Sequence, residues 1–184
     1  MPKVKRPRIA GPAGYDDDRD EAPSAPRAAR PAPRARDIRY SVAWFRDRVA
    51  TYALELLQAV PHLDAVYAPI GMGSGICGLI SVRDLLGLKT EIIGVVAEAA
   101  PAVALSVAQG QLVNTNSAAT FADGLACRVP VAEPVEIIRR GAARVICVTE
   151  EEIADAIRAY YVDTHNLAEG AGAAPLAALI KERS

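Results

Sequence analysis

Residues 71–78 read Gly71-Met72-Gly73-Ser74-Gly75-Ile76-Cys77-Gly78, and this cluster restricts the possible folds more than any other stretch. Immediately before it stands Ala65-Val66-Tyr67-Ala68-Pro69-Ile70, an apolar run short and β-branched enough for a buried strand. After it Leu79, Val82, Leu85 and Leu86 recur at helical spacing, and Gly87 closes the helix. Glu91-Ile92-Ile93-Gly94-Val95-Val96 then gives a second strand. Strand, glycine turn, helix and strand make a βαβ unit, so the two strands are expected to be parallel with a right-handed crossover.

The flanking segments extend that pattern. Upstream, Val49, Ala53, Leu56, Leu57 and Val60 predict a helix that ends at Pro61. Downstream, Arg144-Val145-Ile146-Cys147-Val148 reads as a further strand. Thr149 with Glu152 three residues on forms a capping box, opening a helix with Ile153, Ala156, Ile157 and Tyr160 on one face. A last helix is expected from about Ala173 to Lys181, with Pro175 in its first turn. No internal repeat is visible. The fold class is α/β: an open, mostly parallel sheet with flanking helices.

Composition adds a boundary and several exclusions. The net charge of -1 averages two unlike regions of the 184 residues. Residues 1–39 hold 10 Lys/Arg against 6 Asp/Glu, and the remainder 11 against 16. The first region also has 7 of the 13 prolines and neither Leu nor Phe. Such a stretch buries too little apolar surface to offset its ordering entropy, so residues 1–40 are expected to be a disordered Pro/Arg/Ala-rich arm. Asp16, Asp17, Asp18, Asp20 and Glu21 interrupt its basic character, which favours a solvated arm over a docking tail. Residues 41–184 form the folded α/β domain. The near-zero charge argues against a nucleic-acid partner or a membrane surface. No apolar run approaches the roughly 18 residues of a membrane span, and no secretory signal opens the chain. Cys77, Cys127 and Cys147 are odd in number and widely spaced, which is no disulfide framework. A cytoplasmic protein is the expectation.

Chemically, the glycine loop carries the strongest signal. Glycines between a strand and a helix let backbone N–H groups approach an anion, and the helix N-terminus adds positive dipole. A phosphate is the usual guest. The absence of a Gly-Lys-Ser/Thr ending excludes a P-loop NTPase. Gly73-Ser74-Gly75-Ile76-Cys77-Gly78 matches the dinucleotide pattern G-x-G-x-x-G, and Glu98 stands where a ribose-binding acid would be expected. A tight turn without a ligand is the third reading, which five small residues in a run of eight weaken. On local pattern alone all three stay open.

Over a longer stretch, Pro69 to Gly78 resembles the phosphate-cradling loop of the serine/threonine dehydratases. These are pyridoxal 5'-phosphate (PLP) enzymes of the tryptophan-synthase-β-like fold. The resemblance continues through Ile93-Gly94-Val95-Val96 and through Thr120-Phe121-Ala122-Asp123-Gly124-Leu125-Ala126, which looks like the family's Thr-x-Ala-Asp-Gly segment. It ends at Glu169-Gly170-Ala171-Gly172-Ala173, similar to a Glu-Pro-Ala-Gly-Ala turn. Coverage runs from Val49 to Lys181, and the wording is nearest to the threonine and hydroxyectoine-utilization dehydratases. What the resemblance implies is a partial PLP fold. The N–H groups of Gly71, Met72, Gly73 and Ser74, continued by Gly75, would hold the cofactor phosphate, with Glu169 near its ring. The implied reaction is β-elimination of water from a hydroxy-amino acid, giving a 2-oxo acid and ammonia.

The departures bear on activity. The family's Schiff-base lysine sits in a Ser-x-Lys-x-Arg segment, and none of Lys3, Lys5, Lys89 and Lys181 has that context. No catalytic residue is therefore assigned. Counterparts of the substrate-carboxylate loop and of the Ser-Gly-Gly-Asn-like strand are also missing, and a metal-site glutamate of some members falls at Val96. Two histidines do not make a metal site: His62 is expected exposed in a turn, and His165 structural. Three expectations follow: a truncated or frameshifted dehydratase, a split enzyme whose partner chain carries the lysine, or a non-catalytic phosphate-cofactor module including the dinucleotide version. For frameshifting, Gly14-Tyr15-Asp16-Asp17 looks like family sequence before Arg/Ala/Pro-rich text up to Arg48. Apolar faces left uncovered would make the chain associate, with a partner chain or with copies of itself.

Overall fold

The computed structural model describes residues 49–60 and 62–183. The arm over residues 1–40, its continuation to residue 48 and the helix stop at Pro61 lie outside the described residues. A helix, α1, runs through residues 49–59. Strand β1 (Ala65–Pro69), helix α2 (Ser74–Leu85), strand β2 (Glu91–Ala97) and helix α3 (Ala102–Gln109) follow. A 3-10 turn at Asp123–Leu125 precedes α4 (Ala132–Gly141), β3 (Arg144–Val148), α5 (Glu150–Thr164) and α6 (Gly170–Arg183). The three strands form a parallel sheet in the order β1-β2-β3. Val66 is in register with Ile92, and Ile93 with Arg144.

Central β2 is buried from Ile92 to Ala97, as a parallel strand covered on both faces must be. Its side chains divide between two cores. Ile92 and Val96 pack with Ala53 and Leu57 of α1, with Ile76, Leu79 and Ile80 of α2, and with Ile138 of α4. Val95 and Ala97 face Ile153 and Ala156 of α5 and the alanines 171, 173, 174, 177 and 178 of α6. That run of small residues lets α6 lie close across the sheet. Gly94 serves the opposite face, where a Cβ would come within 2.4 Å of Ile70 Cδ1 and 3.1 Å of Ile76 Cδ1.

Elements read from periodicity recur at their expected places, including the parallel βαβ unit and the capping box. Thr149 Oγ1 accepts from Glu152 N–H at 3.1 Å, and Glu152 Oε2 accepts from Thr149 N–H at 2.8 Å. Three details differ. Leu85 is 81% exposed, and Leu86 and Val60 also face outward, because their turns extend past the core. The last helix starts at Gly170 rather than near Ala173, so Pro175 is its sixth residue and not in its first turn. Helices α3 and α4 and the 3-10 turn were not among the expected elements.

Candidate functional site

The loop after β1 delivers the chain into α2 through Gly73, whose φ of +94° is the left-handed conformation that glycine adopts without steric cost. Cys77 N–H makes the first bond of the helical ladder, to Gly73 O at 3.0 Å. The amides of residues 71–76 precede that ladder, and none donates to an acceptor among the described residues. No acidic residue occupies the first turn of α2. A row of unpaired N–H groups at a helix N-terminus, without a competing carboxylate, is suited to an anion.

Two distant segments close on this loop. A Cβ on Gly71 would fall 2.2 Å from Gly124 O, so backbone meets backbone there. Gly124 in turn lies against α6, where its Cβ would stand 2.8 Å from Ala171 Cβ and 3.9 Å from Glu169 Oε1. Gly170 nests on Ala122, at 2.8 Å from its Cα by the same measure. The stretches 71–75, 122–124 and 169–172 therefore meet in one place, beyond the C-terminal end of β1. Ligands of open α/β sheets bind at that edge.

Each residue expected at the site has a definite position. Gly71, Gly73, Ser74 and Gly75 are buried or half-buried, and Met72 is exposed with its Sδ 3.8 Å from Cys127 Sγ. Glu169 is exposed, and its carboxylate caps α6: Oε2 accepts from Ala171 N–H and Oε1 from Gly172 N–H, both at 2.9 Å. Lys89 precedes β2 at the opposite edge of the sheet, a strand length of about 20 Å away. Lys181 is held beside β3 by Glu152 at 3.0 Å and Cys147 O at 3.1 Å. Among the described residues, then, no lysine stands at the glycine loop.

Three neighbours had no role from sequence. Tyr52 of α1 donates its hydroxyl to Gly75 O at 3.1 Å, and burial pushes its pKa up, so it stays a donor at neutral pH. Gly124 lay in a segment without an assigned task, and Glu150 reaches Phe121 N–H at 2.9 Å. Their contacts span long sequence separations, which periodicity does not reveal. His62 is exposed, and His165, also exposed, is the C-cap of α5 at a φ of 57°. Cys77 is buried with Sγ 3.8 Å from Pro134 O, and Val96 is fully buried. Among the described residues no cluster could hold a metal ion.

The donor set fits a phosphorylated cofactor, and the comparisons agree. An L-threonine ammonia-lyase of Geobacter sulfurreducens is 41% identical over 133 residues, 72% of this chain and 33% of that protein. One of Thermotoga maritima is 31% identical over 132 residues, with the same shares. Among solved structures, a T.th. threonine deaminase superposes with a TM-score of 0.70 at 29% identity, over 73% of this chain and 50% of that one. Maize serine racemase gives 0.70 at 28% identity, over 75% and 43%. The chain thus spans about a third of the length of these two curated relatives. The family model described as pyridoxal-phosphate dependent enzyme matches residues 16–184, so loop, sheet and sequence agree that this chain belongs to the pyridoxal-phosphate dependent enzymes.

Proposed function

We propose that this chain carries the cofactor-phosphate part of a serine/threonine ammonia-lyase site. The observation that carries this reading is the convergence of Gly71–Gly75, Gly124 and Glu169 at one sheet edge, with the loop amides unpaired. The N–H groups of Gly71, Met72, Gly73 and Ser74 donate to the phosphate, and Gly75 lets α2 begin without a side chain over it. Glu169 fixes the N-terminus of α6 and would stand near the ring of a bound cofactor. When bound, PLP supplies an electron sink for loss of a proton and a hydroxyl from a hydroxy-amino acid. The residues of this chain bind and orient it. Met72 and Ser74 replace glycines common in the family, yet their backbone donors survive the change.

Proton transfer at the substrate falls to a lysine that the described residues do not bring to the loop. Because none of the four lysines has the family's Ser-x-Lys-x-Arg context, we assign that group to a further stretch of polypeptide, in a soluble cytoplasmic assembly, and expect the chain alone to be inactive. Calorimetric titration with PLP and with NAD(H) tests the cofactor. PLP is expected to bind, whereas tight NAD binding would replace this reading with the dinucleotide one that G-x-G-x-x-G also permits. Co-expression with the product of a neighbouring reading frame, followed by cofactor absorbance and 2-oxo-acid release from threonine or serine, tests the split arrangement. Absence of both signals would remove it.

A further inference from the structure

Glu150 opens α5 directly after β3, next to the capping residue Thr149. Its carboxylate turns away from the helix: Oε2 accepts from Phe121 N–H at 2.9 Å, across 29 residues of sequence. The other oxygen, Oε1, is buried and has no hydrogen-bond partner among the described residues. A buried carboxylate oxygen without a donor is costly, and helix N-terminal dipole offsets only part of that. The single bond to Phe121 is charge-assisted and correspondingly strong.

What that bond holds matters for the cradle. The bonds of residues 120–126 are otherwise local: Ala122 N–H to Thr120 Oγ1, Asp123 N–H to Phe121 O, Leu125 N–H to Ala122 O and Ala126 N–H to Asp123 O. Buried Ala122 and Leu125 set the depth of the segment, but apolar burial is non-directional. Among the described residues, Glu150 is the directional link between this segment and a helix. The segment leaves no slack on its other sides. Gly71 is closed against Gly124 O, and Gly170 against Ala122 and Phe121 Cε2. These close contacts give a displacement at Phe121 a path to the glycine loop.

We propose that Glu150 is a positioning residue of the phosphate cradle, holding the Thr120–Gly124 segment as the wall on which Gly71 is seated. The proposal rests on reading the glycine loop as that cradle. Amide exchange in cofactor-free protein tests the mechanical part, using the bonded amides Phe121 and Cys77 as reporters. Glu150→Ala is expected to speed exchange at Phe121 about tenfold or more, and at Cys77, across the loop, about twofold or more. Glu150→Gln keeps an acceptor and should restore both. Glu151→Ala removes a charge from the same helix turn without touching Phe121, and should leave both near the parent value. In binding, Glu150→Ala should weaken PLP about tenfold while leaving pyridoxal, which lacks the phosphate, unchanged.

Faster exchange confined to Phe121, an equal effect from Glu151→Ala, or failure of Gln to rescue would each overturn the proposal. Should Glu150→Ala not fold, Glu150→Asp, one methylene short of Phe121, carries the same comparison. If the parent protein binds no PLP, the cofactor reading falls while the exchange comparison still decides whether Glu150 positions the loop.

Discussion

Two glycines of the same loop differ in what they tolerate, because they differ in what surrounds them. A Cβ on Gly71 would meet a backbone carbonyl at 2.2 Å, and neither partner is a flexible side chain. Gly71→Ala is expected to lower unfolding free energy by about 1–3 kcal/mol in urea titrations, as overpacking does. At Gly75 the nearest atom is Tyr52 Oη at 3.7 Å, an ordinary contact. Because Gly75 lies in α2, Gly75→Ala should be neutral or add up to about 1 kcal/mol. At the opposite sheet edge Arg144 bridges Glu91 and Glu182, and Tyr67 also donates to Glu182. The Arg144 guanidinium, with Tyr67, holds the Glu182 carboxyl down to about 2 from its ordinary 4.5. A carboxylate depressed in the folded state adds stability above its unfolded pKa and loses it as pH falls through the folded value. Thermal melts should therefore drop between about pH 4.5 and 2, and Glu182→Gln should flatten that slope.

Among the elements, α6 shows how local chemistry and packing combine. Periodicity put its start near Ala173, since Gly170 and Gly172 are poor helix formers. The observed start at Gly170 depends on the Glu169 carboxylate, which takes two otherwise orphaned N–H groups. Glu169→Ala should cost about 1 kcal/mol of stability in the cofactor-free protein, read from the denaturation midpoint. A loss seen only with PLP present would instead make the carboxylate a ring contact without a capping role. Strands β1 to β3 and helices α2 and α5 were legible because short β-branched apolar runs, helical spacing, glycine punctuation and the Thr149–Glu152 box are local signals. Helix α4 was not read although Pro134, Val135 and Ile138 make a buried stripe opposite a charged face, since a proline so near its start is easily taken for a break.

At the scale of the whole molecule, the three-stranded sheet is covered on both faces by its helices. Large apolar side chains nevertheless remain outside, among them Leu85, Met72 at 55% exposure and Leu167 at 84%. Uncovered apolar surface of this kind drives association. Sedimentation velocity on the chain alone is expected to show self-association, and a monodisperse, cooperatively unfolding monomer would contradict that. Among the described residues no helix is long and apolar enough to cross a membrane. The sequence by itself determined the parallel βαβ unit and the family, because these reside in neighbouring residues and ordered motifs. Tertiary structure alone decided that Gly124 walls the loop, that Glu169 caps a helix, and that Glu150 reaches Phe121. Those contacts join residues tens of positions apart, and such pairings follow from how the helices settle on the sheet, a property no local pattern encodes.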